Sequence, residues 1–112
     1  MKLIRALIAL ALLLAPAPAA AAQSCRFTLG FAALHDLTPQ IVGDCQANET
    51  FDPRTLDTRQ QTTNGLLVWR KSDNWTAFTN GSMTWINGPC GVQSRPNDER
   101  FAWEQDPAAG CG

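Results

Sequence analysis

The chain predicts an α+β fold: one short N-terminal helix packed on a small antiparallel β-meander and stapled by disulfides. Three observations carry that expectation. Apolar residues recur at helical spacing within residues 26–37 and alternate at strand spacing within residues 66–86. Strong turn residues separate the alternating runs. Four cysteines are spread through a chain of only 112 residues.

Residues 1–22 (MKLIRALIALALLLAPAPAAAA) have the order of an export signal. Lys2 and Arg5 form a basic start, and the apolar run 7–14 is too short for a bilayer core of about 30 Å. Pro16 and Pro18 end it, and Ala20-Ala21-Ala22 offers small side chains for cleavage. Lipidation of Cys25 is the alternative, but Gln23 fits a lipobox badly. Cleavage leaves residues 23–112, one small domain whose core must be thin, since chains this short bury little more than about 60% of their unfolded surface. Without Lys2 and Arg5, nine basic residues become seven against ten acidic ones, a net of −3. That balance lacks the basic stripe of nucleic-acid readers and gives no pull toward an anionic membrane. The expectation is a monomer, secreted or periplasmic, with no membrane contact after cleavage and no cofactor.

The helix is expected over residues 26–37, with Phe27, Phe31 and Leu34 on one face. Gly30 weakens it by about 1 kcal/mol relative to alanine. Thr38-Pro39 ends it, because a residue before proline avoids the α region. Residues 46–64 are polar and broken by Pro53, which predicts an irregular loop whose end, 60–63, can begin a strand. The 66–71 segment (LLVWRK) is a strand, Ser72-Asp73-Asn74 a turn, and 75–79 (WTAFT) the return strand. Asn80-Gly81 is a tight-turn signal before a third strand, 82–86 (SMTWI), closed by Asn87-Gly88-Pro89. The meander thus has three strands, or four with the 60–63 segment. Alternation sets Leu67, Trp69 and Lys71 against Leu66, Val68 and Arg70. It sets Trp75, Ala77 and Thr79 against Thr76 and Phe78, and pairs Met83 with Trp85. Arg95-Pro96-Asn97-Asp98 reads as a turn, and 100–103 (RFAW) adds a strand or packs over the sheet.

Cys25, Cys45, Cys90 and Cys111 read as two disulfides of an exported chain. Zinc is disfavoured by the absence of a C-x-x-C pair and by a single histidine, His35. The expected pairing is Cys45–Cys90 inside Cys25–Cys111, tying the two chain ends together. Spacing alone leaves Cys25–Cys45 with Cys90–Cys111 open.

The pattern from Gln61 to Trp103 resembles an uncharacterised family of bacterial secreted modules. It is carried by Gln61, Thr63, Gly65 through Lys71, Asp73-Asn74, Thr76 through Thr79, Gly81, Thr84-Trp85, Asn87 through Pro89, Gly91, Arg95, Asn97, Arg100-Phe101 and Trp103-Glu104. The upstream elements at Leu29 to Leu34 and Val42 to Cys45 are similar too. The resemblance implies an extracellular, non-catalytic module; it brings no activity and no disulfide pairing.

For chemistry, His35-Asp36 is the one pair with the makings of a base and its orienter, but neighbours on a helix point about 100° apart. Glu49, Asp52, Glu99 and Glu104 are carboxylates without a glycosidase pattern, and Asp44, Asp52 and Asp57 form no calcium loop. The three N-x-S/T matches at Asn48, Asn74 and Asn80 read as turn chemistry. Trp69, Trp75, Trp85 and Trp103, in a chain with no tyrosine, carry more. Such rings fill a thin core or stack on sugar rings while Asn, Asp and Arg bond the hydroxyls. Trp69 is expected in the core, with Arg70 and Lys71 at its rim or paired with Glu99 and Glu104. The candidate ligand-binding residues are Trp75, Trp85, Asn74, Asp73 and Arg70. The expected function is a non-catalytic module that binds cell-envelope or environmental polysaccharide. The alternative is an accessory or inhibitor module that binds another secreted protein.

Overall fold

The computed structural model describes residues 24–111. The export signal assigned to residues 1–22 lies outside the described residues. The elements run α1 (Leu29–Leu37), α2 (Pro39–Val42), β1 (Thr50–Asp52), β2 (Asp57–Gln61), β3 (Leu66–Arg70), β4 (Trp75–Thr79), β5 (Met83–Gly88), β6 (Gly91–Pro96) and α3 (Ala102–Gln105), followed by a single 3₁₀ turn at Pro107–Ala109. The six strands form one antiparallel sheet in the order of the chain. The predicted class therefore holds, with a helix on an antiparallel meander and two disulfides.

The meander is wider than expected. The three predicted strands are β3, β4 and β5, and the predicted facing of their side chains is observed. Residues 46–64 are not a plain loop, because 50–61 folds as the β1–β2 hairpin at one sheet edge. Residues 91–96 form the other edge strand, so Arg95 and Pro96 belong to β6 rather than to a turn. Pro96 is tolerated at the end of an edge strand, where no inner ladder needs its missing N–H. The helix stops where expected, and Pro39 then opens α2 as its first residue, the one helical position where proline is favoured.

Register divides the sheet into rows. On one face Gln60, Leu67, Phe78, Trp85 and Ser94 are successive cross-strand partners. This row lies beneath the helices: Phe31 and Leu34 of α1 and Val42 of α2 close with Leu67 and Phe78 into the core. Gly30 has a reason to stand in a helix. A Cβ there would lie 2.4 Å from Thr76 Oγ1, so only glycine lets the first turn of α1 rest on β4.

The opposite face is covered by the 100–105 segment, which packs over the sheet as a short helix. Trp103 is buried against Gly88, Ile86 and the edge of Trp75. Its indole N–H donates to Gln93 Oε1 at 2.9 Å. Beside it Arg95 grips Glu104 with two charge-assisted bonds, Nε to Oε2 at 2.6 Å and Nη2 to Oε1 at 2.8 Å. Both side chains are about nine-tenths buried, and Glu104 also accepts the Phe101 N–H. Arg70 pairs with Asp73 instead of Glu99 or Glu104, which corrects the expected partners.

The disulfides are Cys25–Cys45 and Cys90–Cys111, with Cα–Cα distances of 5.9 and 5.5 Å. This overturns the expected Cys45–Cys90 inside Cys25–Cys111. Cys45 bridges Thr62 just past β2, whereas Cys90 sits in the β5–β6 turn. Three strand spacings, about 14 Å, separate those strands, and a disulfide needs Cα atoms within about 7 Å. The N-terminal segment also runs on the α1 face while α3 leads the tail across the other. Two disulfides suit an extracytoplasmic chain. Among the described residues no helix is long and apolar enough to cross a membrane.

Two predictions follow from this packing. Fragment mapping without reductant should recover Cys25 joined to Cys45 and Cys90 to Cys111. The Cys90→Ser/Cys111→Ser variant should lose about 3 kcal/mol of stability by urea titration. The second concerns acid. Burial raises the pKa of Glu104, but the Arg95 guanidinium and the Phe101 N–H outweigh it and the pKa is lowered. A carboxyl whose folded pKa is depressed adds stability above its unfolded pKa, near about 4.3, and loses it as pH falls through the folded value. Glu104→Gln should therefore cost about 3 kcal/mol at pH 7, where it leaves Arg95 unneutralised. Below about pH 4 the gap to wild type should shrink, and urea midpoints measured from pH 7 to 3 check this.

Candidate functional site

One row over from the core, on the same face, Phe51, Thr58, Trp69, Thr76, Asn87 and Val92 are cross-strand partners in unbroken succession. α1 begins over this row, with Gly30 resting on Thr76, and leaves Trp69 and Thr58 beside it open. The result is a cleft of about 470 Å³ with Trp69, Thr58, Thr76 and Asn87 as its floor and Thr28, Leu29 and Glu49 at its wall. Ligand pockets span roughly 300–1,000 Å³.

Trp69 is fixed from below and from the side. It is half-buried against the core, and its indole N–H donates to Asn74 Oδ1 at 2.7 Å. Asn74 stands at the end of the β3–β4 turn with φ of 62°, a left-handed conformation that asparagine tolerates better than most residues. Asp73 shapes the same turn, accepting the Trp75 N–H at 3.1 Å and pairing with Arg70. The turn thus holds the ring of Trp69 with its N–H already bonded, leaving the π-face for a ligand.

The floor's polar groups are unlike those elsewhere. Among the described residues, each buried or half-buried Ser, Thr, Asn or Gln has a side-chain hydrogen bond to protein, except three: Thr58, Thr76 and Asn87. All three lie in the row of Trp69. Thr58 and Thr76 are its direct partners on either side, and Asn87 is the next along. Thr76 is buried and Thr58 and Asn87 are half-buried, so three polar side chains without a protein partner stand in register beside one aromatic ring.

The wall carries one charge, Glu49, whose Oε2 accepts from Thr28 Oγ1 at 3.3 Å. Leu29, beside it, has a left-handed φ of 50° and is 89% exposed. That conformation costs a leucine about 1–3 kcal/mol, and strain of this kind gathers at functional sites.

The predicted site residues divide between two places. Asn74 lies at the cleft. Trp85 shares the cleft's face but belongs to the core row, packed at 5.8 Å on Phe78. Trp75 and Arg70 face the opposite side, in a smaller hollow of about 150 Å³ that also holds Arg95, Arg100 and Glu104. There Trp75 meets Trp103 edge-on at 4.8 Å, under the Arg70 guanidinium. Trp75 and Trp85 therefore cannot form one platform. His35 packs on Phe27 with ring centroids 4.6 Å apart, its Nδ1 3.6 Å from the exposed Asp36 carboxylate. Among the described residues no group of His, Cys, Asp and Glu is arranged to hold a metal ion.

The sequence reading missed Trp69, Thr76, Thr58, Asn87 and Glu49 as site residues. A signal existed for two of them. The four-residue turn 71–74 pairs Arg70 with Trp75, which puts Thr76 directly opposite Trp69.

Comparison with family models, curated proteins and solved structures finds no match to this chain.

The wall depends on the close approach of α1 to β4. Gly30→Ala should force Thr76 aside and lower the stability read from urea titration by about 1 kcal/mol, net of the gain in helix propensity. An unchanged m value would show that the fold itself persists.

Proposed function

We propose that this chain is a non-catalytic saccharide-binding module of the extracytoplasmic space, with its site in the cleft floored by Trp69. The observation that carries this reading is the row of unpaired polar side chains flanking one aromatic face. A sugar ring presents an apolar C–H face and a rim of hydroxyls. An indole takes the first by dispersion contact. Thr58, Thr76 and Asn87 offer hydroxyl and amide groups that both donate and accept, which is what hydroxyls need. A ligand that bonds them exchanges their water for its own hydroxyls and is oriented by them.

The charge of the lining supports binding rather than cleavage by a carboxylate pair. Glycoside hydrolysis by two carboxylates needs a pair about 5–9.5 Å apart. Glu49 is the one carboxylate among the described residues lining the cleft. The same single negative charge, with no cation in the lining, favours neutral saccharides over acidic ones.

The test is retention of the oxidised protein on insoluble polysaccharides and purified cell walls. Trp69→Ala should reduce retention at least about tenfold, a loss of some 1.4 kcal/mol. Thr58→Val, which removes a hydroxyl at nearly constant shape, should weaken retention with the fold intact by circular dichroism. Trp75→Phe, on the other face, should leave retention unchanged. Absence of retention on every matrix sinks the proposal and turns the search to a secreted protein partner.

A further inference from the structure

We infer that the cleft's ligand is a stretch of linear, neutral β-1,4-linked glycan lying across the strands, with Phe51 and Trp69 as two stacking platforms for alternate sugars. This rests on the saccharide reading above and adds the polymer's geometry to it.

Phe51 lies on β1 at the sheet edge and is 57% exposed. It partners Thr58, which partners Trp69, so all three side chains share the cleft's face and row. Phe51 and Trp69 are two strand spacings apart, roughly 9.5 Å. The hydroxyl of Thr58 stands between them. An exposed phenylalanine on an edge strand is a liability for sheet-to-sheet aggregation, and edge strands ordinarily carry charge there. Its neighbour Asp52 follows that rule on the opposite face, while Phe51 does not.

In an extended β-1,4-linked chain successive sugars are turned over about the chain axis. Every second ring then presents the same apolar face in the same direction. The repeat of two sugars is close to the spacing between Phe51 and Trp69. One ring stacks on each aromatic side chain, and the inverted ring between them turns its opposite face toward Thr58, whose hydroxyl is within reach of the groups at that ring's rim. Beyond Trp69 the row passes beneath the start of α1, where Gly30 rests on Thr76, so Phe51, Thr58 and Trp69 are the stretch of the row offered to the chain. An α-1,4-linked chain coils and cannot meet both platforms.

The experiment is calorimetric titration of the full oxidised protein with cello- and chito-oligosaccharides of two to six sugars, with maltohexaose as the coiled control. Wild type, Phe51→Ala and Trp69→Ala are compared. Phe51 is exposed on an edge strand, so its truncation leaves the core untouched. Affinity should rise with length up to four sugars in one of the two β-1,4 series. Phe51→Ala should lower the affinity of the hexasaccharide roughly tenfold and leave the disaccharide unchanged. Trp69→Ala should lower both. If oligosaccharides bind in a Trp69-dependent way but Phe51→Ala has no effect at any length, the two-platform geometry is overturned and the saccharide reading stands. Equal affinity for maltohexaose overturns it in the same way. Failure of every oligosaccharide to bind overturns both.

Discussion

The contact on which the rest of this domain depends is the closure of Phe31 and Leu34 over Leu67 and Phe78. These residues, with Val42, form the core cluster, and four of the five have no exposed surface at all: Leu34, Val42, Leu67 and Phe78. In a sheet, side chains on one face recur every second residue, so fixing Leu67 and Phe78 beneath α1 fixes what occupies the next row. Two residues along β3 that is Trp69, and two residues back along β4 it is Thr76. A one-residue slip would turn Trp69 to the other face and bring Val68 under the helix. The cleft therefore inherits its composition from the core's register. The helix begins at Leu29 and touches β4 through Gly30, which decides where cover ends and the open row begins.

A core this thin cannot stabilise a six-stranded sheet from one side. The second face is closed by a different device. Trp103 fills the space over Gly88, and the buried Arg95–Glu104 pair holds α3 against β6. Buried ion pairs are weak evidence of net stability, since desolvation offsets much of the attraction. Their value here is positional. Arg95 fixes where a four-residue helix sits, and the bond between Cys90 and Cys111 then ties the tail to the β5–β6 turn. The first disulfide does similar work on the first face, binding the segment before α1 to Cys45, where the chain enters the sheet. Each staple is local to its own face, which is why neither joins the chain's two ends.

The fold was legible where hydrophobic alternation is strong. Strands β3, β4 and β5 each place Leu, Phe, Trp or Ile at alternate positions, and their facing was readable residue by residue. The hairpin of β1 and β2 was not, because its one inward residue beneath the helices is Gln60. That glutamine is buried because its amide serves the carbonyls of Arg26 and Ala47, at 2.9 and 3.0 Å. A buried polar residue held through its amide N–H groups by distant backbone leaves no trace in a hydropathy pattern, even though its Oε1 has no protein partner. Strand β6, with Gly91, Arg95 and Pro96, reads as turn for the same kind of reason. Its stability comes from pairing and from the ion pair rather than from apolar alternation. The disulfide pairing needed the strand order, which spacing does not contain.

The position of the candidate cleft was not legible. An excess of tryptophan beside asparagine pointed to ring stacking, yet residue type alone cannot say which ring is covered. Trp69 and Trp85 lie on the same face of the same sheet and both touch the core. Trp85 partners Phe78 and shares its row, whereas Trp69 partners Thr76 and sits one row beyond. The distinction between a packing tryptophan and an available one is thus a matter of two residues of register and the starting point of one helix. The polar partners make the same point from the other side. Thr79, Thr84 and Asn97 bond one another across β4, β5 and the turn after β6, and so complete the structure's own network. Thr58, Thr76 and Asn87 are of the same residue types, but their neighbours along the row are one another and an indole. Their side chains make no hydrogen bond to protein among the described residues, and that difference sets the candidate cleft apart from the network beside it.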